Sequence, residues 1–156
     1  MKNEYIRTSK ITEAWIQENC QSGRLNLSGF DLSGANLCGF DLSWANLSYT
    51  NLAGAKLTGA KLTNADLSYA KLTYAKLTGA KLIGADLTNA KLTYAELIEA
   101  DLAGSKLPGA NLYYADFTNA NLTGAKLTDA DLACAKLTGA DLTNADLTNA
   151  NTTGAF

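Results

Sequence analysis

The chain has 156 residues, with 13 basic against 15 acidic side chains, no histidine and a formal net charge of -2. That length suits one domain, and near-neutrality argues against generic nucleic-acid binding and against a strongly acidic mimic of DNA. The absence of histidine removes Ser–His and Cys–His nucleophile pairs and histidine metal sites.

Residues 1–24 carry no repeat. The opening MKNEYIRTSK lacks the apolar run of a signal peptide, and no stretch approaches the roughly 18 apolar residues of a membrane span. A cytoplasmic location is the expectation. Within this segment TSKITEAWIQEN (8–19) reads as a helix. Thr8 or Ser9 can cap it, Ile11, Ala14 and Trp15 form an apolar stripe, and Gly23 follows as a stop. The three cysteines, Cys20, Cys38 and Cys134, are odd in number and far apart, so they give no disulfide framework and no metal spacing. The alternative left open is a bridge between Cys20 and Cys38.

From Leu25 to Gly154 the chain is 26 consecutive pentapeptides, leaving Ala155 and Phe156 at the end. The central residue is leucine in 24 of them, with Phe117 and Thr152 the exceptions. Two positions earlier stands alanine, except at Leu25, Phe30, Phe40, Thr50 and Ser105. The residue just before the centre is always Asn, Asp, Lys or Glu, and the one after is mostly Ser or Thr. A period of five fits neither a helix, at 3.6, nor a strand, at two. The chain must turn a corner within every pentapeptide so that each leucine returns to the inside. Tyrosines at the last repeat position recur at a spacing of 20: Tyr49 with Tyr69, and Tyr74 with Tyr94 and Tyr114. That points to a coil of four pentapeptides.

Over residues 25–154 the sequence resembles the pentapeptide-repeat family, whose motif is A(D/N)LXX. The resemblance implies an all-β solenoid, a right-handed quadrilateral parallel β-helix. Four repeats to a coil give about 6.5 coils, and strands stacked about 4.8 Å apart make a rod of roughly 30 Å. A solenoid's first coil exposes unpaired groups and an apolar cross-section, so the N-terminal helix is expected to lid that end with Trp15 as anchor. Phe30 and Phe40 should plug a wider first coil. No equivalent cap follows the last repeat. Relatives imply a homodimer through such an uncapped C-terminal end.

No Walker loop and no dinucleotide fingerprint is present. Asp66 and Asp86 should sit about 5 Å apart across a ladder, but a catalytic carboxylate needs a pocket and a raised pKa. A tube packed with leucine offers neither, so the reading is of a protein that is not an enzyme, with no cofactor and no metal.

Two surface features remain. From Lys56 to Lys91 the net charge is +4, and from Glu96 to Asp146 it is -5. The tyrosines Tyr49, Tyr69, Tyr74, Tyr94 and Tyr114, with Lys71 and Lys91 beside them, have the composition of a protein contact patch, and equally of a structural ladder of rings stacked on one another. The function expected is a rigid interaction or scaffold module for a protein partner, with no specific nucleic acid and no membrane. The resemblance also implies an alternative, a DNA-mimicking protein that binds DNA gyrase. Only the acidic C-terminal half, Asp101, Asp116, Asp131, Asp141 and Asp146, could serve it.

Overall fold

A computed structural model describes Ile16 and residues 25–156. Its local unit is a β-turn, formed once in every pentapeptide. In the first, the Phe30 N–H donates to the Leu27 carbonyl at 3.1 Å, and Gly29 has a φ of 74°. Positive φ confined to the third turn residue defines a type II turn, which favours Gly or Asn there. That position is left-handed in all 26 repeats; 12 are glycine and 14 are not. The 14 include Trp44 and five tyrosines, and each of these six bears a local cost of about 1–2 kcal/mol that glycine escapes.

Between turns each pentapeptide offers a single bridge residue. Asn26 pairs in parallel with Asn46, Asp31 with Asn51, Asn36 with Lys56 and Asp41 with Lys61. The register of 20 residues holds as far as Asp131 with Asn151. Four pentapeptides thus complete one coil, and the coil has four sides. We number the sides first to fourth from Asn26, Asp31, Asn36 and Asp41, and call the C-terminal direction up.

The backbone donors explain the motif. The N–H two before the centre closes the preceding turn. The next one donates to the coil below, as Asn46 does to the Leu25 carbonyl at 2.8 Å. The centre and the last residue donate to the coil above, as Leu27 does to Asn46 at 2.8 Å and Gly29 to Ser48 at 2.9 Å. The N–H just after the centre donates to no backbone carbonyl. The side chain just before the centre supplies the acceptor: Ser28 N–H donates to Asn26 Oδ1 at 3.1 Å, and Ser68 N–H to Asp66 Oδ1 at 2.9 Å. All 16 Asn and Asp residues at that position accept such a bond. A short side-chain oxygen two residues back makes this Asx turn. The nine lysines at the same position have no acceptor to offer.

Inside, every centre from Leu27 to Leu132, Phe117 included, is at most 2% exposed. Each such leucine contributes about 1.5–3 kcal/mol relative to an exposed one. The residues two before the centre are buried from Ala45 to Ala135, and two of them, Thr50 and Ser105, are polar. Thr50 is satisfied, its hydroxyl donating to the Leu27 carbonyl at 2.8 Å. Ser105 Oγ finds no protein partner, a cost of about 1–3 kcal/mol.

The two ends differ. At the N-terminal end Phe30, Ala35 and Phe40 are half-buried against the core, and Ile16, helical and fully buried, belongs to it. Ile16 is not on the stripe of Ile11, Ala14 and Trp15; those residues, the rest of the expected helix and Cys20 lie outside the described residues. Cys38 is an exposed free thiol. At the C-terminal end Leu137, Leu142, Leu147, Ala140, Ala145 and Ala150 are only partly buried, and Phe156 is 65% exposed.

Candidate interaction surface

The left-handed turn residue sits at a corner of the coil, and the 20-residue register stacks like corners over one another. Tyr49 and Tyr69 stack at 4.9 Å between ring centroids with planes 1° apart. Tyr74, Tyr94 and Tyr114 stack at 5.2 Å each, with interplanar angles of 8° and 13°. Tyr113 packs edge-on against both Tyr94 and Tyr114. Stacked aromatic pairs contribute about 0.5–1.5 kcal/mol beyond burial, which offsets much of the strain at these left-handed positions. Hydrogen bonding with Cys134, one coil above, and then the neighbouring Tyr113, hold the Tyr114 phenol above its ordinary 10.0.

The first stack stands at the corner where the first side passes into the second, and the other where the second side ends. Lys71 and Lys91 lie between them, bridged to each other on the second side and exposed. All seven contact residues read from the sequence therefore fall on one face and its two edges. Sequence reasoning missed two aromatics. Tyr113 joins this patch, and its signal was adjacency to Tyr114. Trp44 occupies the same turn position at a different corner and is 60% exposed.

Charge is sorted by side as well as by height. The second, third and fourth sides carry the lysines of the middle coils. The first side runs the other way, with Asp66 and Asp86 below Lys106 and Lys126. Ion pairs cross adjacent coils at Asp41–Lys61 (3.4 Å), Lys76–Glu96 (3.5 Å), Asp86–Lys106 (3.6 Å) and Asp116–Lys136 (3.2 Å). Burial pushes the Asp86 carboxyl up, but the Thr88 hydroxyl, the Thr88 N–H and Lys106 outweigh it and hold the group below its ordinary 3.8. Asp116 is lowered likewise by Thr118 and Lys136 against the same desolvation. Carboxyls held ionised in this way are poor proton donors. Among the described residues no group of three or more His, Cys, Asp or Glu is arranged to hold a metal, and no helix is long and apolar enough to cross a membrane.

The sequence matches the family described as Pentapeptide repeats in eight copies, over residues 26–64, 41–73, 60–95, 70–108, 95–132 and 125–156. No curated protein matches it. Among solved structures, a pentapeptide repeat protein from the Arabidopsis thaliana thylakoid lumen is 35% identical, with a TM-score of 0.37, covering 69% of this chain and 68% of that one. A pentapeptide repeat protein from the cyanobacterial strain Nostoc Pcc 7120 is 30% identical, with a TM-score of 0.36, covering 90% and 94%. QnrB1, a plasmid-mediated fluoroquinolone resistance protein, is 19% identical, with a TM-score of 0.53, covering 85% and 83%, and is similar in fold.

Proposed function

We infer the function from one premise: the chain belongs to the pentapeptide-repeat family, and kinship implies the right-handed quadrilateral β-helix. On that frame the chain is a non-enzymatic interaction or scaffold module acting in the cytoplasm. The rod has about 6.5 coils, is lidded by the N-terminal helix, and meets a second copy at its open C-terminal coil. The observation that carries this reading is the convergence of Tyr49, Tyr69, Tyr74, Tyr94, Tyr114, Lys71 and Lys91 on one face. Aromatic rings held by stacking and by a rigid backbone lose little entropy when a partner docks.

Gyrase binding by DNA mimicry has less support. Its acidic half is interrupted by Lys106, Lys126 and Lys136, the last paired with Asp116 at 3.2 Å, whereas a DNA mimic needs continuous negative charge. The test is affinity capture from source-cell lysate with the wild type and with Tyr74, Tyr94 and Tyr114 all changed to Ser. The module reading expects a protein held by the wild type and lost from the triple variant. Identical captures, or none, overturn it.

A further inference from the structure

Four lysine pairs stack at the 20-residue register: Lys56–Lys76, Lys61–Lys81, Lys71–Lys91 and Lys106–Lys126. Three of them meet a carboxylate in the next coil of their own column. Glu96 stands above Lys76, Asp41 and Asp101 flank Lys61–Lys81, and Asp86 and Asp146 flank Lys106–Lys126. Lys71 and Lys91 instead lie between Asn51 and Asn111. Two like charges are held together on this side with no counter-charge in the column beside them.

The tyrosine stacks flanking this pair are both open at the lower end. Tyr74 stands over Gly54 and Gly34, and Tyr49 over Gly29. Apart from the glycine and its two chain neighbours, no heavy atom lies within 4 Å of where a side chain at any of these glycines would begin. Exposure records the open ring face: Tyr49 and Tyr74 are each 62% exposed, against 42–47% for Tyr69, Tyr94 and Tyr114. A planar side chain entering there continues the stack at the spacing of one coil.

We propose that the second side docks a short acidic segment of a partner protein, its carboxylates meeting Lys71 and Lys91 and an aromatic side chain stacked under Tyr74 beside Gly54. The proposal rests on the interaction-module reading and names the partner's chemistry. Charge complementarity selects the occupant. A nucleic-acid strand needs a continuous basic track for its phosphates, and on this side Asp31 and Asp131 close the column below and above the lysine pair. A segment with two or three acidic residues fits the interval between them.

A displayed random-peptide library panned on the full chain tests this. The selected peptides are then measured by fluorescence anisotropy. Expected are peptides with at least two Asp or Glu close to an aromatic residue, bound more weakly as salt rises. Affinity should fall about tenfold in the Lys71→Ser/Lys91→Ser variant. It should fall similarly in Gly54→Tyr, where the new ring fills the shelf; tyrosine already occupies this turn position at Tyr49 with φ of 58°. Thermal melting of both variants confirms that they fold. Peptides without acids, or affinity unchanged by the lysine substitutions, overturn the proposal, as does tighter binding of an oligothymidine strand. If such peptides are still lost from the Tyr74/Tyr94/Tyr114 serine variant, the interaction module stands and only the acidic partner falls. No enrichment over a blank support removes both.

Discussion

The middle of the rod and its last coil obey the same motif and are held together by opposite halves of it. From Lys56 to Lys91 six of eight repeats carry lysine before the centre, so they lack the Asx bond, while every centre there is sealed in the core. In the last coil Asp141, Asp146 and Asn151 all make the Asx bond. Among the described residues no coil stands above their centres Leu142, Leu147 and Thr152, and the two leucines are half-exposed. Burial in a solenoid is supplied by the neighbouring coil, not by the pentapeptide itself. The same five letters therefore carry different energies at different heights.

Removing a centre from each region breaks the comparison most sharply. Leu77→Ala, at 0% exposure, should cost about 2–5 kcal/mol in urea unfolding. Leu142→Ala should cost about 1 kcal/mol, since its side chain is already partly in water. Equal costs would mean that the end is covered in solution, and sedimentation of the two variants would then show whether a second copy covers it.

The coil period and the inward leucines were legible in the sequence because the five-residue phase holds through 26 repeats, with leucine at 24 of their centres. The tyrosine ladders were legible for the same reason, since a spacing of 20 puts side chains at one corner. The bond that makes Asn and Asp the preferred residues was not. It joins a side chain to a backbone N–H two residues on, and its need appears only when every other N–H has been assigned. Nor does composition show that Lys71–Lys91 differs from the other lysine pairs. The difference lies in Asn51 and Asn111, 20 residues away along the chain and adjacent in space. The burial of Ile16 was hidden too, because an apolar stripe names a face and not the coil it meets.

A smaller effect sharpens the contrast from the side of the turns. Lys56 sits between Asn36 and Lys76 in its column, so replacing it removes a like-charge contact and breaks no ion pair in that column. Lys56→Asn should add the missing acceptor for the Thr58 N–H and stabilise the chain by about 1 kcal/mol. Lys56→Gln removes the same charge but places its oxygen one bond too far out. It should gain only a few tenths of a kcal/mol. A shared gain would assign the effect to repulsion, whereas a gain confined to Asn, with slower amide exchange at Thr58, assigns it to the turn.

Acid should act on the carboxylate turns of the last coil and leave the turns of the lysine repeats unchanged, by the smallest of these effects. The Thr143 hydroxyl and N–H hold the Asp141 carboxyl below its ordinary 3.8, and those of Thr148 do the same for Asp146. A carboxylate whose folded pKa is lowered contributes stability that is fully present above its unfolded value and is lost as pH falls through the folded one. Melting should therefore be flat from neutrality to about pH 4 and decline below it. Both groups lie at the surface, so the global change is small and the local one is the better measure. Amide protection at Thr143 and Thr148, corrected for intrinsic exchange, should fall in that window. Thr58, Thr73 and Thr78 follow lysines, which offer their N–H groups no titrating acceptor, and their protection should not change there. Protection at Thr143 and Thr148 that persists to about pH 2 would show that the neutral carboxyl serves the turn equally well. The last coil would then owe its turn bonds to the shape of Asp and Asn rather than to charge.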